Sequence, residues 1–400
     1  MSTSNNPPSI KSSLKVTSNS NASAESNAKL NVSKPSVKKP KVKKGRGAGS
    51  NEASRYNKTP SAAADDGWGM ADYLAWESEQ AVPTTLLADQ TRKIITTNKS
   101  PDIPFSQSIN PYKGCEHGCI YCYARPTHAY LDLSPGLDFE SKIFYKVDAA
   151  QRLREELAKP RYVCSPIAIG TNTDPYQPGE RKVHVMRDIL EVLLETRHPL
   201  TIVTKSALIL RDVDLLSQLA KMQLVKVNVS VTTLSNELKT KLEPRTAGPA
   251  ARLRTITELN EAGVPTGAML APIIPFINDH EMEDLVKEVA AAGAREVRYI
   301  LIRLPLEVAP LFEEWLENHY PLKASRVMSA IRDTRGGKRY QSKWHQRMVG
   351  SGPIAQLIRT RFHNALEKAG LAESLNSTGL RPLRTDLFRP PNPSSQMSLF

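Results

Sequence analysis

An α/β fold, a barrel or partial barrel of six parallel strands, is what this 400-residue sequence predicts. Three observations lead there. Short apolar runs of strand length alternate with stretches of ten or more residues at helical spacing. Those runs are largely apolar, as in a parallel sheet buried on both faces. Polar residues stand where the runs end, and in barrels of this kind the functional groups gather at the C-terminal ends of the strands, where the βα loops converge.

The elements follow in order. A first strand is expected just before a cysteine-rich loop. DAAQRLREELAKP (148–160) then reads as a helix with Pro160 as its stop. SPIAIGT (165–171) is the second strand, followed by the helix HVMRDILEVLLETRH. LTIVTKS (200–206) and LRDVDLLSQLAKM make the third pair, VKVNVSVTT (225–233) and ARLRTITELNEAG the fourth. TGAMLAPII (266–274) and DHEMEDLVKEVAAAG make the fifth, and VRYILIRLP (297–305) is the sixth strand.

Around this barrel, set at 106–305, residues 1–65 read as a disordered basic tail. They are rich in Ser, Asn, Lys and Pro, and lack the apolar surface that would offset their ordering entropy. Residues 66–105, with Trp68, Tyr73, Trp76 and LLADQTRKIIT, read as an extension packing on the core. Residues 306–375 are expected to form a C-terminal helical region and 376–400 a flexible tail.

The net charge of +13 lies at the two ends. The first 50 residues hold ten Lys/Arg against one acid, and residues 321–400 hold fourteen against four, so the body between is slightly acidic. A catalytic body with basic arms for an anionic polymer such as nucleic acid fits this distribution, and so does a solubilising tail. No apolar run approaches the ~20 residues needed to span a bilayer, and MSTSNNPPSIKSSLK has no apolar leader core. A cytoplasmic protein is the expectation, and there clustered cysteines are metal or redox groups rather than disulfides.

Three of the four cysteines, Cys115, Cys119 and Cys122, fall within NPYKGCEHGCIYCYARP (110–126). On a helix they would share one face, but Pro111, Gly114 and Gly118 argue for a loop. Spaced thiolates on a loop bind zinc or an iron-sulfur cluster, and structural zinc would take a fourth ligand from Cys164, His117 or His128. Thr171 to Asp174, Thr204 to Ser206, and Ser230, Thr232 and Thr233 end the second, third and fourth strands. Singly these are ordinary capping residues; together, converging on three thiolates, they read as a site.

CEHGCIYC resembles the Cys-x₃-Cys-x-aromatic-Cys motif of the radical S-adenosylmethionine enzymes, with Tyr121 as the aromatic. GRGAGSN (45–51), GTNTDPYQP (170–178), IVTKSALILRD, SVTT and LRTDLF extend the resemblance to the bacterial PA0069-like radical SAM proteins. More distantly the core is similar to spore photoproduct lyase, a radical enzyme that repairs ultraviolet-damaged DNA. The resemblance implies a radical SAM partial barrel with a 4Fe-4S cluster on Cys115, Cys119 and Cys122. One iron is left open to chelate S-adenosylmethionine, which on reduction by a one-electron donor such as flavodoxin yields a hydrogen-abstracting 5′-deoxyadenosyl radical. It puts Tyr121 beside the adenine and Thr173, Lys205 and Ser230 around the cofactor, with Lys205 pairing the methionyl carboxylate. Arg245 is a second carboxylate candidate or a surface partner of Glu243, and MLAPII (269–274) lines the adenine pocket or packs the core. Where the lyase carries its hydrogen-donor cysteine this chain has Thr171. Cys164, seven residues earlier, is expected near the opposite rim as an inert buried thiol, so repair by the lyase route is not expected.

RGGKRYQSKWHQR (335–347) interleaves five Lys/Arg with Tyr340 and Trp344, a combination that contacts phosphates while stacking on bases, or else a solvated surface stretch. The peptide Gln396, Met397, Ser398, Leu399, Phe400 resembles the one by which bacterial repair proteins dock on the DNA sliding clamp, with Met397 in place of Leu. The expected function is a radical SAM enzyme acting on DNA, in repair or modification. Action on RNA, a peptide or a small metabolite is the alternative, and a non-catalytic metal-dependent nucleic-acid-binding protein is another.

Overall fold

Continuous apolar runs pair as parallel strands in the computed structural model, which describes residues 43–56, 82–372 and 382–391. The strands are β1 (Thr85–Asp89), β2 (Ile95–Thr97), β3 (Gln107–Ile109), β4 (Tyr112–Lys113) and β5 (Lys142–Lys146), then β6 (Ile167–Ile169), β7 (Leu200–Thr204), β8 (Val225–Ser230), β9 (Thr266–Ile273) and β10 (Val297–Leu301). One sheet has the order β10-β9-β8-β7-β6-β3-β2. Its members from β10 to β3 run parallel and β2 is an antiparallel edge. The sheet ends at β10 and β2 without closing on itself, so the expected partial (β/α)6 barrel is the observed architecture.

The register follows the apolar pattern. Ile169 stands opposite Ile202, and Ile202 opposite Val227, each without solvent exposure. The helix Val185–Glu195 buries Met186, Ile189, Leu190 and Leu193, the i, i+3, i+4, i+7 stripe, against that core. Burying each such side chain stabilises by roughly 1.5–3 kcal/mol. A smaller sheet, β1-β5-β4, flanks the barrel, and β4 leads directly into the cysteine loop.

Two expectations are corrected. Residues 43–56, assigned to the disordered tail, are packed: Arg46 is 3% exposed. Its guanidinium donates to the carbonyls of Glu140 (2.6 Å) and Val82 (2.6 Å), and the amides of Gly47 and Ala48 both donate to the Glu140 carboxylate at 2.9 Å. A Gly-Ala-Gly stretch held through its backbone leaves no apolar signature in composition. Residues 382–391, assigned to the flexible tail, also dock. The amides of Arg384 and Arg389 donate to the carbonyls of Gln223 (3.1 Å) and Thr196 (2.9 Å), and Phe388 meets the His198 ring edge-on. Residues 1–42, Trp68, Tyr73, Trp76 and the peptide Gln396–Phe400 lie outside the described residues. No helix among the described residues is long and apolar enough to cross a membrane.

Two buried histidines make the fold acid-sensitive. His198 is held by Tyr162 and by the Pro199 carbonyl, and His128 donates from Nε2 to the Lys142 carbonyl (3.1 Å). Burial outweighs these bonds and holds each ring at about 4. The unfolded chain takes up protons at about 6.5, so this contribution is intact above that pH and falls away as pH drops toward 4, by about 3 kcal/mol per ring. Urea unfolding is expected to show a much lower midpoint at pH 4.5 than at pH 7; equal midpoints would refute the assignment.

Candidate active site at the cysteine loop

The loop that carries the three cysteines folds back on itself because two of its residues have no side chain. Gly114 and Gly118 adopt φ of 81° and 67°, and a Cβ on Gly118 would stand 2.7 Å from Glu140 Oε2. The Cys115 amide donates to the Phe139 carbonyl (2.9 Å), the Ile120 amide to Leu242 (3.1 Å) and the Cys122 amide to Cys119 (3.1 Å). Arg125 gathers the loop from below. Fully buried, it donates to the carbonyls of Cys119 (3.0 Å), Gly118 (3.3 Å), Pro135 (3.1 Å) and Gly136 (3.0 Å), and pairs with buried Glu140. Residues 43–56 close the other side: Gly47 lies so near the loop that a Cβ there would fall 1.8 Å from the Gly118 carbonyl oxygen.

The motif GTNTDPYQP, in the loop after β6, clamps the same segment. Thr173 donates to the Tyr112 carbonyl (3.1 Å), and Asn110 accepts from the Asn172 amide (2.9 Å). Gln177 accepts from the Glu116 amide (2.8 Å) and donates to the Gly114 carbonyl (3.3 Å). Asp174 binds His117 Nδ1 (3.3 Å), the Thr204 hydroxyl (2.7 Å) and the Lys205 amide (2.7 Å), tying the loop to the end of β7. Burial raises the Asp174 carboxyl, but those partners outweigh it and hold it at about 2. Thr173, expected at the cofactor, donates its hydroxyl proton to the Tyr112 carbonyl, which leaves its oxygen as an acceptor only.

A second buried network joins the loop to β8. Tyr121 donates its hydroxyl to Glu243, Thr232 does the same (2.7 Å), and Arg252 pairs with Glu243 while donating to the Ser230 carbonyl (3.0 Å). Burial would raise Glu243, but Arg252 and Lys205 bring it to about 2. Lys205 stands among Cys119, Glu243 and Asp174. Burial lowers its ammonium, yet Cys119 and Glu243 raise it further than burial lowers it. No hydrogen bond or ion pair within 4.0 Å engages that ammonium among the described residues, which makes it a cation free for a ligand.

Of the two roles expected for Arg245, the ion pair with Glu243 does not form. Arg245 pairs with Glu116 instead, and lines a cavity of about 180 Å³ with His117, Arg181 and Ser206 rather than with Lys205. Cys164 precedes β6, at the strand's start, and is partly exposed rather than buried; burial still pushes its thiol to about 11. Thr171 accepts at its carbonyl from the hydroxyl of Tyr123, whose ring lies 4.3 Å beneath the Arg303 guanidinium. Tyr123, Arg303, Arg125, Glu140 and Arg252 were not singled out by the sequence reading. Charged residues in loops and helix starts look the same whether they face water or bury an ion pair.

The donor set fits an iron-sulfur cluster. Cys115 and Cys119 are each 7% exposed, and Cys122 packs against the apolar groups that contain both. Burial raises the Cys119 thiol to about 12, and raises Cys115 with help from Asp174 and the other two sulfurs. Among the described residues no three His, Cys, Asp or Glu side chains close on a single-ion site; His117 and His128 are engaged elsewhere. Soft thiolates packed against apolar side chains suit a multi-iron cluster.

The family model of the radical SAM superfamily matches residues 109–289, from the end of β3 to the fifth crossover helix. An uncharacterized protein of Mycobacterium tuberculosis is 38% identical over 240 residues, 59% of this chain and 71% of that protein. The chain belongs to the radical SAM superfamily. This radical SAM protein is also similar to an uncharacterized protein of Methanocaldococcus jannaschii, 28% identical over 58% of this chain and 82% of that one. Among solved structures, a spore photoproduct lyase mutant matches with a TM-score of 0.52 at 16% identity, covering 79% of this chain and 86% of that chain. The chain is thus a radical SAM enzyme, and the family's cofactors are a 4Fe-4S cluster and S-adenosylmethionine.

Proposed function

We propose that Cys115, Cys119 and Cys122 hold the cluster, that Lys205 receives the methionyl carboxylate of S-adenosylmethionine, and that the substrate is DNA, in repair or modification. Held by those three thiolates, the cluster would supply the electron that cleaves S-adenosylmethionine into methionine and a 5′-deoxyadenosyl radical, which would take a hydrogen atom from the substrate. The protein's own residues hold the geometry: Asp174 fixes the turn that carries Lys205, while Tyr121, Glu243 and Arg252 tie the cysteine loop to the end of β8, where Ser230 stands. Tyr121 is read as the wall beside the adenine, with Thr173 and Ser230 behind the cofactor. Arg245, bound to Glu116, is left to the outer face of the loop.

The observation that carries the cofactor reading is the free ammonium of Lys205 among buried anions next to Cys119. Lys205→Met is expected to weaken S-adenosylmethionine binding by about 10–100-fold, the worth of one charge-assisted contact, with Lys205→Arg recovering part of it. Equilibrium dialysis of the cluster-loaded protein reads this directly, and unchanged affinity would remove Lys205 from the site.

The substrate reading rests on charge. Fourteen Lys/Arg against four acids in residues 321–400 suit a polyanion, and one of the similar solved structures is spore photoproduct lyase complexed with dinucleoside spore photoproduct. The terminal Gln396–Phe400 peptide would recruit such an enzyme to the sliding clamp, and a flavodoxin-like donor would reduce it. Deuterium passing from labelled DNA into 5′-deoxyadenosine supports this reading; 5′-deoxyadenosine formed without label from any nucleic acid ends it.

A further inference from the structure

We infer that Arg335–Gly350 is a strap across the open side of the barrel that binds a single-stranded or locally unpaired nucleic acid, with Trp344 as its stacking platform and Lys338 and Lys343 as its phosphate contacts. This rests on the proposal of a nucleic-acid substrate and names the segment that would grip it.

The strap is fastened at both margins of the open sheet. Arg335, 1% exposed, donates to the carbonyls of Leu301 (3.0 Å) and Ile302 (2.7 Å) at the end of β10, and to those of Gln346 (3.1 Å) and Arg347 (3.0 Å), which closes the loop on itself. The Leu301 amide donates to the Met348 carbonyl (2.9 Å). At the other margin Arg347 makes a two-pronged pair with Asp102 (2.7 and 2.6 Å), in the connector between β2 and β3. A merely solvated loop needs no fully buried arginine to shape it. Such anchoring lowers the ordering cost of binding.

Three of the five strap cations are already committed: Arg335 to carbonyls, Arg347 to Asp102, and Arg339 to Glu313 (3.1 Å). Lys338 and Lys343 are exposed, and neither ammonium has a partner among the described residues. Between them in the chain Tyr340 is half-buried, and Trp344 beside Lys343 is 55% exposed. The other described tryptophan, Trp315, is 2% exposed and donates to the Lys241 carbonyl, so Trp344 stands out as a large ring offered to solvent. Lysines close to an exposed indole bind backbone phosphate while a base stacks, without sequence preference.

The strap also adjoins the chemistry. It is anchored on the carbonyl of Ile302; the next residue, Arg303, covers the ring of Tyr123, and Tyr123 follows Cys122 directly. A strand lying on the strap would therefore run past the cysteine loop.

The test uses the full, cluster-loaded protein and fluorescein-labelled oligo(dT) and oligo(rU) of about 16 nucleotides, with polyglutamate as competitor. Anisotropy is expected to show binding that weakens with salt and resists polyglutamate, with quenching of tryptophan emission. Trp344→Ala combined with Lys338→Glu and Lys343→Glu should weaken it about 30-fold or more, while Trp344→Phe keeps most of it. None of these residues touches the cysteine loop, so visible absorption and substrate-free release of 5′-deoxyadenosine should not change. If the wild type binds an oligonucleotide and the triple variant binds it equally, the strap inference falls and the nucleic-acid substrate stands. Binding abolished by polyglutamate and indifferent to Trp344→Ala also overturns it. A wild type that binds neither oligonucleotide removes both the strap and the substrate class.

Discussion

Cys119→Ser is expected to give a colourless protein that releases no 5′-deoxyadenosine above a reductant-only control, and the same change at Cys115 or Cys122 should do likewise. Serine keeps the size of the side chain and loses the soft sulfur that iron requires. No second thiol can take over. Cys164 lies at the N-terminal start of β6, whereas the loop's partners, Asp174 and Gln177, lie past that strand's C-terminal end. Cys164→Ser is accordingly expected to retain both the cluster's visible absorption and the release of 5′-deoxyadenosine. A cluster lost in Cys164→Ser and kept in Cys119→Ser would overturn the ligand assignment.

Arg125→Met should be the costliest single change to the fold around the loop. It strips the cation from a fully buried pair, leaving the Glu140 carboxylate with only the amides of Gly47 and Ala48, and it removes the donor that holds the carbonyls of Cys119 and Gly118. Breaking a buried pair by one partner costs about 3–5 kcal/mol, because the remaining charge stays desolvated. Removing both charges together, as Arg125→Met with Glu140→Leu, should recover part of that loss. Denaturant unfolding of the metal-free protein reads the stability. Cluster content after reconstitution reads the loop, and a wild-type midpoint in Arg125→Met would show that the pair is not a fastening.

The parallel barrel was legible because short, largely apolar runs alternate regularly with amphipathic stretches of helical length, the pattern of a parallel sheet with crossover helices. The small sheet was not. β1, β4 and β5 are short and only partly buried, and β1 reaches β5 across more than fifty residues of chain. The three cysteines were legible from spacing and two glycines. Their setting was legible in kind but not in role: Thr173 and Asp174 were placed at the site, and they turn out to secure the loop rather than stand free. A pair between Glu243 and Arg245, two positions along, was one of the two readings of that arginine. The turn after the helix Asn236–Leu242 instead carries Glu243 inward to Arg252 and Arg245 outward to Glu116. Spacing along a chain cannot distinguish those directions when the turn geometry is unknown.

The contact between Gly47 and the Gly118 carbonyl sets the size of the working unit. A segment about seventy positions ahead of the first cysteine forms one wall of the loop, with no room there for even a methyl group. The span recognised as the radical SAM domain, 109–289, is therefore shorter than the piece of chain that builds its own cysteine site. A side chain gained at position 47 would have to be matched by a displaced backbone at position 118.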